Sequence, residues 1–155
     1  MWRRAWVAGV DHYGGWSPEP FRLIQDEGTG LLITGTCEWV DYTVTAVVRP
    51  HMAARAGLAA RVQGMRRWYG LLLCADDRVR LVKSLDGEQV LAETEYAWEL
   101  DRTYTLELIV RGGELVASID GREVLRANDG DLATGGIALV ADEGRVDVDE
   151  VAVRP

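Results

Sequence analysis

Tyr42-Thr43-Val44-Thr45-Ala46-Val47-Val48 is the stretch that indicates the fold most clearly. Its apolar side chains alternate with residues that are mostly polar, and a period of two is the signature of a β-strand. A strand with one apolar side and one polar side has one face on a core and one face in water, which is typical of antiparallel sheets. The stretch therefore predicts an antiparallel all-β protein.

The same alternation recurs along the rest of the chain, in Leu58–Val62, Tyr104–Val110, Leu115–Ile119, Ile137–Ala141 and Val146–Val148. Turn signals separate these runs, at Asp76-Asp77, Asp86-Gly87, Gly112-Gly113 and Asp120-Gly121. Asp-Gly tolerates the positive φ angles that two-residue hairpins require. No stretch has a convincing helical pattern. Short strands at this spacing predict a β-sandwich or barrel.

The first part of the chain is less regular. A strand is expected near Arg3–Val10 and another near Phe21–Gln25, with a Gly- and Pro-rich loop between them. Gly28 and Gly30 are then expected to turn the chain into a strand at Leu31–Thr36. No linker or internal repeat divides the sequence. We therefore expect one domain over residues 1–155, with an irregular strand and loop in residues 1–20.

Composition excludes several classes of protein. The 155 residues are 48% hydrophobic and 27% charged, which is typical of a folded globular chain. A net charge of −8 disfavours nucleic acid and anionic membranes as partners, because both are polyanions. No apolar run approaches a membrane span, and no signal peptide is evident, so a cytoplasmic location is expected. Cys37 and Cys74 are expected to be reduced thiols, with a single bridge as the alternative in an exported protein.

Four motifs resemble the concanavalin A-like jelly-roll, the fold of lectins, laminin G-like modules and many carbohydrate-binding domains. They are Trp39–Val44, Gly57–Gln63 followed by Trp68-Tyr69, Ile119-Asp120-Gly121, and Gly136–Leu139 with Val148–Val151. Their order along the chain carries the resemblance. It implies an antiparallel jelly-roll β-sandwich.

A narrower resemblance concerns Pro20–Gln25, Gly30–Thr36 and Arg61–Gly64. These runs resemble the C-terminal appendage of bacterial ADP-ribosylglycohydrolase family proteins, whose helical, metal-dependent catalytic domain is missing here. The resemblance implies a bacterial accessory module attached to a hydrolase. It assigns no catalytic role to these residues.

No catalytic motif is found in the sequence. The Glu-x-Asp-x-x-Glu strand of laminarinase-type jelly-roll enzymes is absent, as are a Gly-x-Ser-x-Gly elbow and a phosphate-binding loop. Glu93 and Glu95 could share one strand face, as a glycosidase requires, although they fall where an exposed hairpin arm is expected. We expect no catalytic residue, and a glycoside-active enzyme remains an alternative.

No cofactor is expected either. Structural calcium is the alternative, since jelly-rolls often carry such an ion, and Asp149 would be the first residue to test, with Asp147 and Glu150 beside it. Acidic residues are also common at exposed strand ends. No metal ligand is therefore assigned.

A ligand platform is predicted on one outer sheet face, from Thr43, Thr45, Arg61, Gln63 and Trp68. If Leu58, Ala60 and Val62 point inward, Arg61 and Gln63 point outward, and Trp68 follows on the next strand. An indole, a guanidinium and an amide are suited to a sugar or nucleotide. A bulge before Trp68 would change the side on which it lies.

The alternative is a sheet face that is packed within the protein or against a partner, and Val47 and Leu72 favour it. Trp39 and Trp98 begin or precede strands and are expected to plug the ends of the sandwich. The leading hypothesis is a non-catalytic accessory module that binds a glycan or nucleotide-sugar-like ligand, or docks to its catalytic domain. A protein-protein or oligomerisation module without a small ligand is the rival hypothesis.

Overall fold

A computed structural model describes residues 7–9, 12–14 and 21–155. These residues form antiparallel β-strands joined by turns and loops, with no helix among them. The strands are β1 (Val7–Gly9), β2 (His12–Gly14), β3 (Phe21–Thr34), β4 (Tyr42–Met52), β5 (Arg55–Gly64), β6 (Arg67–Cys74), β7 (Arg78–Leu85), β8 (Glu88–Glu95), β9 (Tyr104–Arg111), β10 (Glu114–Ile119), β11 (Arg122–Asn128) and β12 (Gly136–Arg154). The all-β prediction is confirmed.

Two layers form because β3 and β12 are long enough to belong to both. Residues 145–154 of β12 pair with β4, whereas residues 136–142 pair with β5. The first layer continues from β4 through β9 and β10 to β11, and the second from β5 through β6 and β7 to β8. β3 follows β12 through both layers, and β2 and β1 pair with its two halves. The result is the predicted jelly-roll sandwich.

The two long strands bend without ending. The register between them is interrupted after Asp142, where Glu143 has φ +45° and Gly28, on the facing part of β3, has φ +70°. A bulge of this kind bends a strand and increases its twist. The expectation that Gly28 separates two strands was therefore wrong. Ile137–Ala141 and Val146–Val148 were likewise expected as separate runs, but both are parts of the single strand β12.

The main core lies between the layers. Its fully buried side chains include Val44, Ala46, Leu106 and Leu108 from the first layer and Leu58, Tyr69, Leu71 and Leu81 from the second. A second apolar cluster lies on the opposite side of the second layer and contains Leu31, Ala59, Val62, Trp68, Leu72, Cys74, Val82, Ala138 and Val140. Both faces of the second layer are thus buried.

The predicted hairpins are confirmed. Asp86 and Asp120 have φ angles of +53° and +52°, and each is followed by a glycine with positive φ. Gly112 adopts φ +56° between β9 and β10, and Asp77 adopts φ +57° between β6 and β7. Short polar residues and glycine are the residues that tolerate this conformation, so the local sequence determines where the chain reverses.

The strand expected near Arg3–Val10 corresponds to β1, and β2 follows it; the remainder of residues 1–20, with Trp2, Trp6 and Trp16, lies outside the described residues. No membrane-spanning helix occurs in the part of the chain that the structure describes. Cys37 is exposed and Cys74 is buried, and both are free thiols. Burial raises the pKa of the Cys74 thiol.

Candidate functional site

The predicted platform is not assembled, and Trp68 is the first reason. Trp68 does lie on the outer face of the second layer, opposite the core face that holds Tyr69 and Leu71. However, only 1% of Trp68 is exposed, its ring lies against Gly70, and its indole N–H donates to the carbonyl of Met65 at 2.9 Å. The period of two correctly predicted its side of the sheet. Its exposure was predicted wrongly, because this face is packed.

Arg61 is the second reason. The pairing of β5 with β6 is interrupted after Ala60, and Arg61 there adopts φ +49°. This bulge reverses the alternation, so that Val62 joins the outer cluster and the Arg61 side chain turns into the end of the sandwich, where it is 1% exposed. The prediction that Arg61 points outward was wrong. Gln63 is half-buried, and its amide donates to the carbonyl of Thr134 at 2.9 Å.

Thr43 and Thr45 lie on a different layer from Trp68. They point away from the core on β4, since their neighbours Val44 and Ala46 belong to the main core. Thr43 is buried and Thr45 is half-buried. The five predicted residues are therefore divided among the outer face of the first layer, the end of the sandwich and the outer face of the second layer.

The outer face of the first layer is polar around the two threonines. Thr45 pairs directly with Glu107 on β9, and Thr43 pairs with Arg154 on β12. The Arg154 guanidinium donates to the Glu107 carboxylate at 2.9 Å. This ion pair therefore crosses β4 and connects its two neighbours in the sheet, β12 and β9. Arg154 is 67% exposed and Glu107 is 26% exposed. We call Thr43, Thr45, Glu107 and Arg154 the polar face.

A cavity of about 340 Å³ adjoins the polar face and shares Arg154 with it. Its lining consists of residues 39–42, which we call the Trp39 wall, and residues 153–155. The Trp39 ring packs edge-on against Tyr42, with 5.9 Å between ring centroids, and covers Gly35. Trp39 thus closes one end of the sandwich, as predicted, and also presents an aromatic surface to the cavity. We call this end of the sandwich the Trp39 end.

The wall of the cavity is held by a buried hydrogen-bond network at the Trp39 end. The Tyr42 hydroxyl accepts from the backbone N–H of Arg61 at 2.6 Å and donates to the carbonyl of Gly136 at 2.8 Å. Burial raises the pKa of Tyr42 to about 12, although the bond from Arg61 acts in the opposite direction. The hydroxyl is therefore neutral at physiological pH and keeps its donor.

A second open cavity, of about 550 Å³, lies at the other end of the sandwich. His51 lies between two carboxylates there, at 2.6 Å from Asp101 and 2.8 Å from Asp147. Trp98 closes this end of the core, and its indole donates to the carbonyl of Cys74 at 2.7 Å, as expected of a plug. These contacts connect β4, β12 and the segment before β9.

The acidic candidates do not gather around a common point. Asp147 contacts His51, and the Asp149 carboxylate accepts from the backbone N–H of Glu150 at 2.8 Å. Within the described ranges, no group of three His, Cys, Asp or Glu side chains could hold a metal ion. Glu93 lies on the edge strand β8 and accepts from Arg80 at 2.7 Å. It is therefore part of an exposed ion pair, as the hairpin-arm interpretation expected.

Sequence reasoning did not single out Glu107 and Arg154. Both alternate with apolar residues that face the core, so each was predictable as an outward residue of its strand. Their meeting across β4 depends on β12 passing from one layer to the other, which no local pattern shows. The sequence did contain a signal: Thr43 and Thr45 are outward polar residues on one strand, and two other strands carry charged residues at outward positions.

Comparison with known proteins gives one matching family and several structures with a similar fold. Residues 17–144 match the family model described as the C-terminal lectin domain of galactocerebrosidase. A carbohydrate-binding module, CBM66, from Bacillus subtilis is 16% identical and superposes with a TM-score of 0.88, covering 100% of this chain and 99% of that chain. The galectin LEC-6 of Caenorhabditis elegans is 15% identical with a TM-score of 0.62, covering 92% and 100% of the two chains.

A sialidase of Trypanosoma rangeli is 14% identical with a TM-score of 0.67; the match covers 96% of this chain and 27% of the sialidase chain. At these identities the three structures show a shared fold. No curated protein matches the sequence.

Proposed function

The chain belongs to the galactocerebrosidase C-terminal lectin domain family, and from this premise we propose that it is a non-catalytic carbohydrate-binding module whose site is the polar face with the adjoining Trp39 cavity. The observation that carries the proposal is the Arg154–Glu107 ion pair, which lies across the threonines of β4 beside an aromatic cavity wall. The module would bind one sugar unit at this place.

The chemistry of the polar face suits a neutral polyol. The Glu107 carboxylate accepts hydrogen bonds, the Arg154 guanidinium donates them, and the Thr45 hydroxyl does both. Bonds to charged groups are stronger than bonds between neutral groups, so one charged acceptor and one charged donor can hold two hydroxyls of a sugar. The Trp39 indole offers an apolar surface to the C–H side of the ring. Small-molecule sites typically combine these features.

The dimensions of the cavity support a small ligand unit. A volume of about 340 Å³ is at the lower end of the range for ligand sites. The chain carries a net charge of −8, which disfavours strongly anionic ligands at long range. We therefore place a neutral glycan ahead of a nucleotide-sugar, and the nucleotide-sugar is retained as an arm of the experiment.

Attachment to a catalytic domain is the second part of the proposal. The match to the T. rangeli sialidase covers only 27% of that chain, which supports a module that can form part of a larger enzyme. The resemblance to the appendage of ADP-ribosylglycohydrolase proteins remains a prediction from the sequence. Catalysis would then belong to the attached domain.

A glycan array followed by calorimetric titration with the sugar that gives the strongest signal tests the proposal. Glu107→Gln and Arg154→Ala should each weaken binding at least about tenfold, a loss of about 1.4 kcal/mol in binding free energy. Both residues are partly exposed, so the variants should fold normally. Glu93→Gln and Arg80→Ala are matched controls, since this pair also bridges strands, but on the second layer.

Three results would contradict the proposal. One is the absence of binding to any glycan or nucleotide-sugar on the array. Another is equal loss of affinity in the control variants. The third is unchanged affinity in both polar-face variants. Absence of sugar binding together with a concentration-dependent oligomer would favour the rival protein-protein module.

A further inference from the structure

We propose that Arg61 is the positioning residue of the sugar site, and that its buried guanidinium fixes the Trp39-Val40-Asp41 wall of the cavity before any ligand arrives. This inference rests on the proposed function for its consequence in binding. Its structural content, the fixing of the wall by Arg61, can be tested without a ligand. Arg61 itself would not touch the sugar.

The guanidinium of Arg61 joins three loops at the Trp39 end. Its Nε donates to the carbonyl of Val40 at 3.1 Å, and one terminal nitrogen donates to the carbonyls of Gly112 at 2.5 Å and Leu132 at 3.2 Å. The other terminal nitrogen donates to the Asp41 carboxylate at 3.1 Å. One side chain thus connects the β3–β4 loop, the β9–β10 turn and the β11–β12 loop.

Each residue of the cavity wall is held by a bond to the rest of this network. The Trp39 carbonyl accepts from the backbone N–H of Gly135 at 2.9 Å, and the Val40 carbonyl accepts from Arg61. The Asp41 carboxylate accepts both from Arg61 and from the backbone N–H of Gly112, at 2.9 Å. Removing the guanidinium would release the Val40 carbonyl, leave Asp41 held by Gly112 alone, and take this donor from the carbonyls of Gly112 and Leu132.

An arginine is required here on chemical grounds. The planar guanidinium presents several donors in a fixed fork, whereas a lysine ammonium is a point charge that cannot reach acceptors on three separate loops. The cost of burying the charge is offset by Asp41, which is 48% exposed, and by the carbonyl dipoles. The positive φ of Arg61 aims the side chain into the network, and its own N–H is held by Tyr42.

A positioned wall matters for affinity, because a site that is already ordered does not lose conformational entropy when it binds its ligand. Trp39 and Arg154 both line the cavity. If the Trp39 wall moves, the Trp39 indole and the Arg154 guanidinium can no longer contact the same sugar unit. Sugar binding should therefore depend on Arg61 although Arg61 is buried behind the wall.

The experiment combines fluorine NMR of protein labelled with fluorotryptophan and titration with the sugar identified on the array. Arg61→Lys keeps the charge but not the fork, and Arg61→Gly keeps the left-handed backbone but removes the side chain. Arg66→Gly is the matched control, since Arg66 is an exposed arginine in the neighbouring turn. Trp39→Phe assigns the Trp39 resonance, and the Trp98 resonance reports on the other end of the core.

In the ligand-free protein, both Arg61 variants should shift or broaden the Trp39 resonance and leave the Trp98 resonance in place. Both should weaken sugar binding at least about tenfold, equal to about 1.4 kcal/mol. Guanidinium ion at low millimolar concentration should restore the Trp39 resonance in Arg61→Gly and have no effect on Arg66→Gly. The control should match the parent protein in both measurements.

An unchanged Trp39 resonance in Arg61→Lys and Arg61→Gly would overturn the inference. Equal changes at Trp39 and Trp98 would also overturn it, since they would identify Arg61 as a residue of general stability. If the parent protein binds no sugar, the proposed function fails, whereas the Trp39 resonance still decides whether Arg61 fixes the wall.

Discussion

Truncation of Trp68 to alanine should destabilise the protein strongly. A buried tryptophan covers about 200 Å² of surface, which at about 25 cal/mol per Å² corresponds to about 5 kcal/mol. The indole also donates a hydrogen bond to the carbonyl of Met65, worth about 1 kcal/mol net. Loss of side-chain entropy on folding opposes these contributions, and measured truncations of buried aromatic residues cost about 3–5 kcal/mol. We expect a loss in this range.

Urea denaturation followed by circular dichroism measures this loss. The midpoint should fall while the slope of the free energy against urea stays the same, because the surface exposed on unfolding changes little. Thermal unfolding should show a decrease in Tm of roughly 6–20 °C, at about 2–4 °C per kcal/mol for a chain of this size. Trp68→Phe should lose much less, since it keeps most of the apolar contact.

A double-mutant cycle with Gly70 tests the packing of the ring. A Cβ at Gly70 would approach Cζ3 of Trp68 to 2.5 Å, so Gly70→Ala should destabilise the parent protein. The same change should cost much less in the Trp68→Ala background, because the ring that it meets has gone. A loss below about 1 kcal/mol for Trp68→Ala, or an equal cost of Gly70→Ala in both backgrounds, would refute the packed position of Trp68.

Three further variants test other parts of the structure. Tyr42→Phe removes a buried hydroxyl that is both donor and acceptor and should cost about 1–3 kcal/mol in urea denaturation; a loss near zero would contradict the network. Burial is the largest single influence on the pKa of Asp129 and raises it, but the bonds from Lys83, Tyr69 and the backbone N–H of Asp131 together outweigh burial, and the pKa lies below its ordinary value. Its contribution is therefore complete above about pH 3.9 and is lost as the pH falls through the folded-state pKa, so the stability of Asp129→Asn should depend less on acid than that of the parent. Gly57→Ala would place a Cβ against the carbonyl oxygen of Leu71, and little soluble folded protein should be recovered; expression at the parental level would contradict the close approach of the two strands.

The alternating pattern predicted most of the fold because it is local. In the stretch from Tyr42 to Val48, every residue except Val47 reveals its face through its own polarity. Elsewhere, each Asp-Gly reveals a turn through its tolerance of positive φ. The bend of β3 was missed because Gly28 was interpreted as the end of a strand, and the bend of β12 because its residue with positive φ is Glu143. An ordinary glutamate gives no signal of that kind.

The candidate site was predictable only in part, for two physical reasons. Burial of an outer sheet face depends on what covers it, so Trp68 could be placed on its face but not assigned its exposure. The bulge at Arg61 inverts the alternation for a residue type that rarely adopts positive φ. Thr43 and Thr45 were placed correctly as outward residues, but their partners Glu107 and Arg154 come from strands distant in sequence.

Chemical-shift mapping with the sugar identified on the array both detects binding and locates the site on the protein. Backbone amide shifts should concentrate at Thr43, Thr45, Glu107 and Arg154 and extend to Trp39, and they should saturate with the affinity measured by calorimetry. The amides around Leu72, on the packed face of the second layer, should not move. Shifts centred on the packed face around Leu72, or on the second cavity around His51, would contradict a sugar site on the polar face.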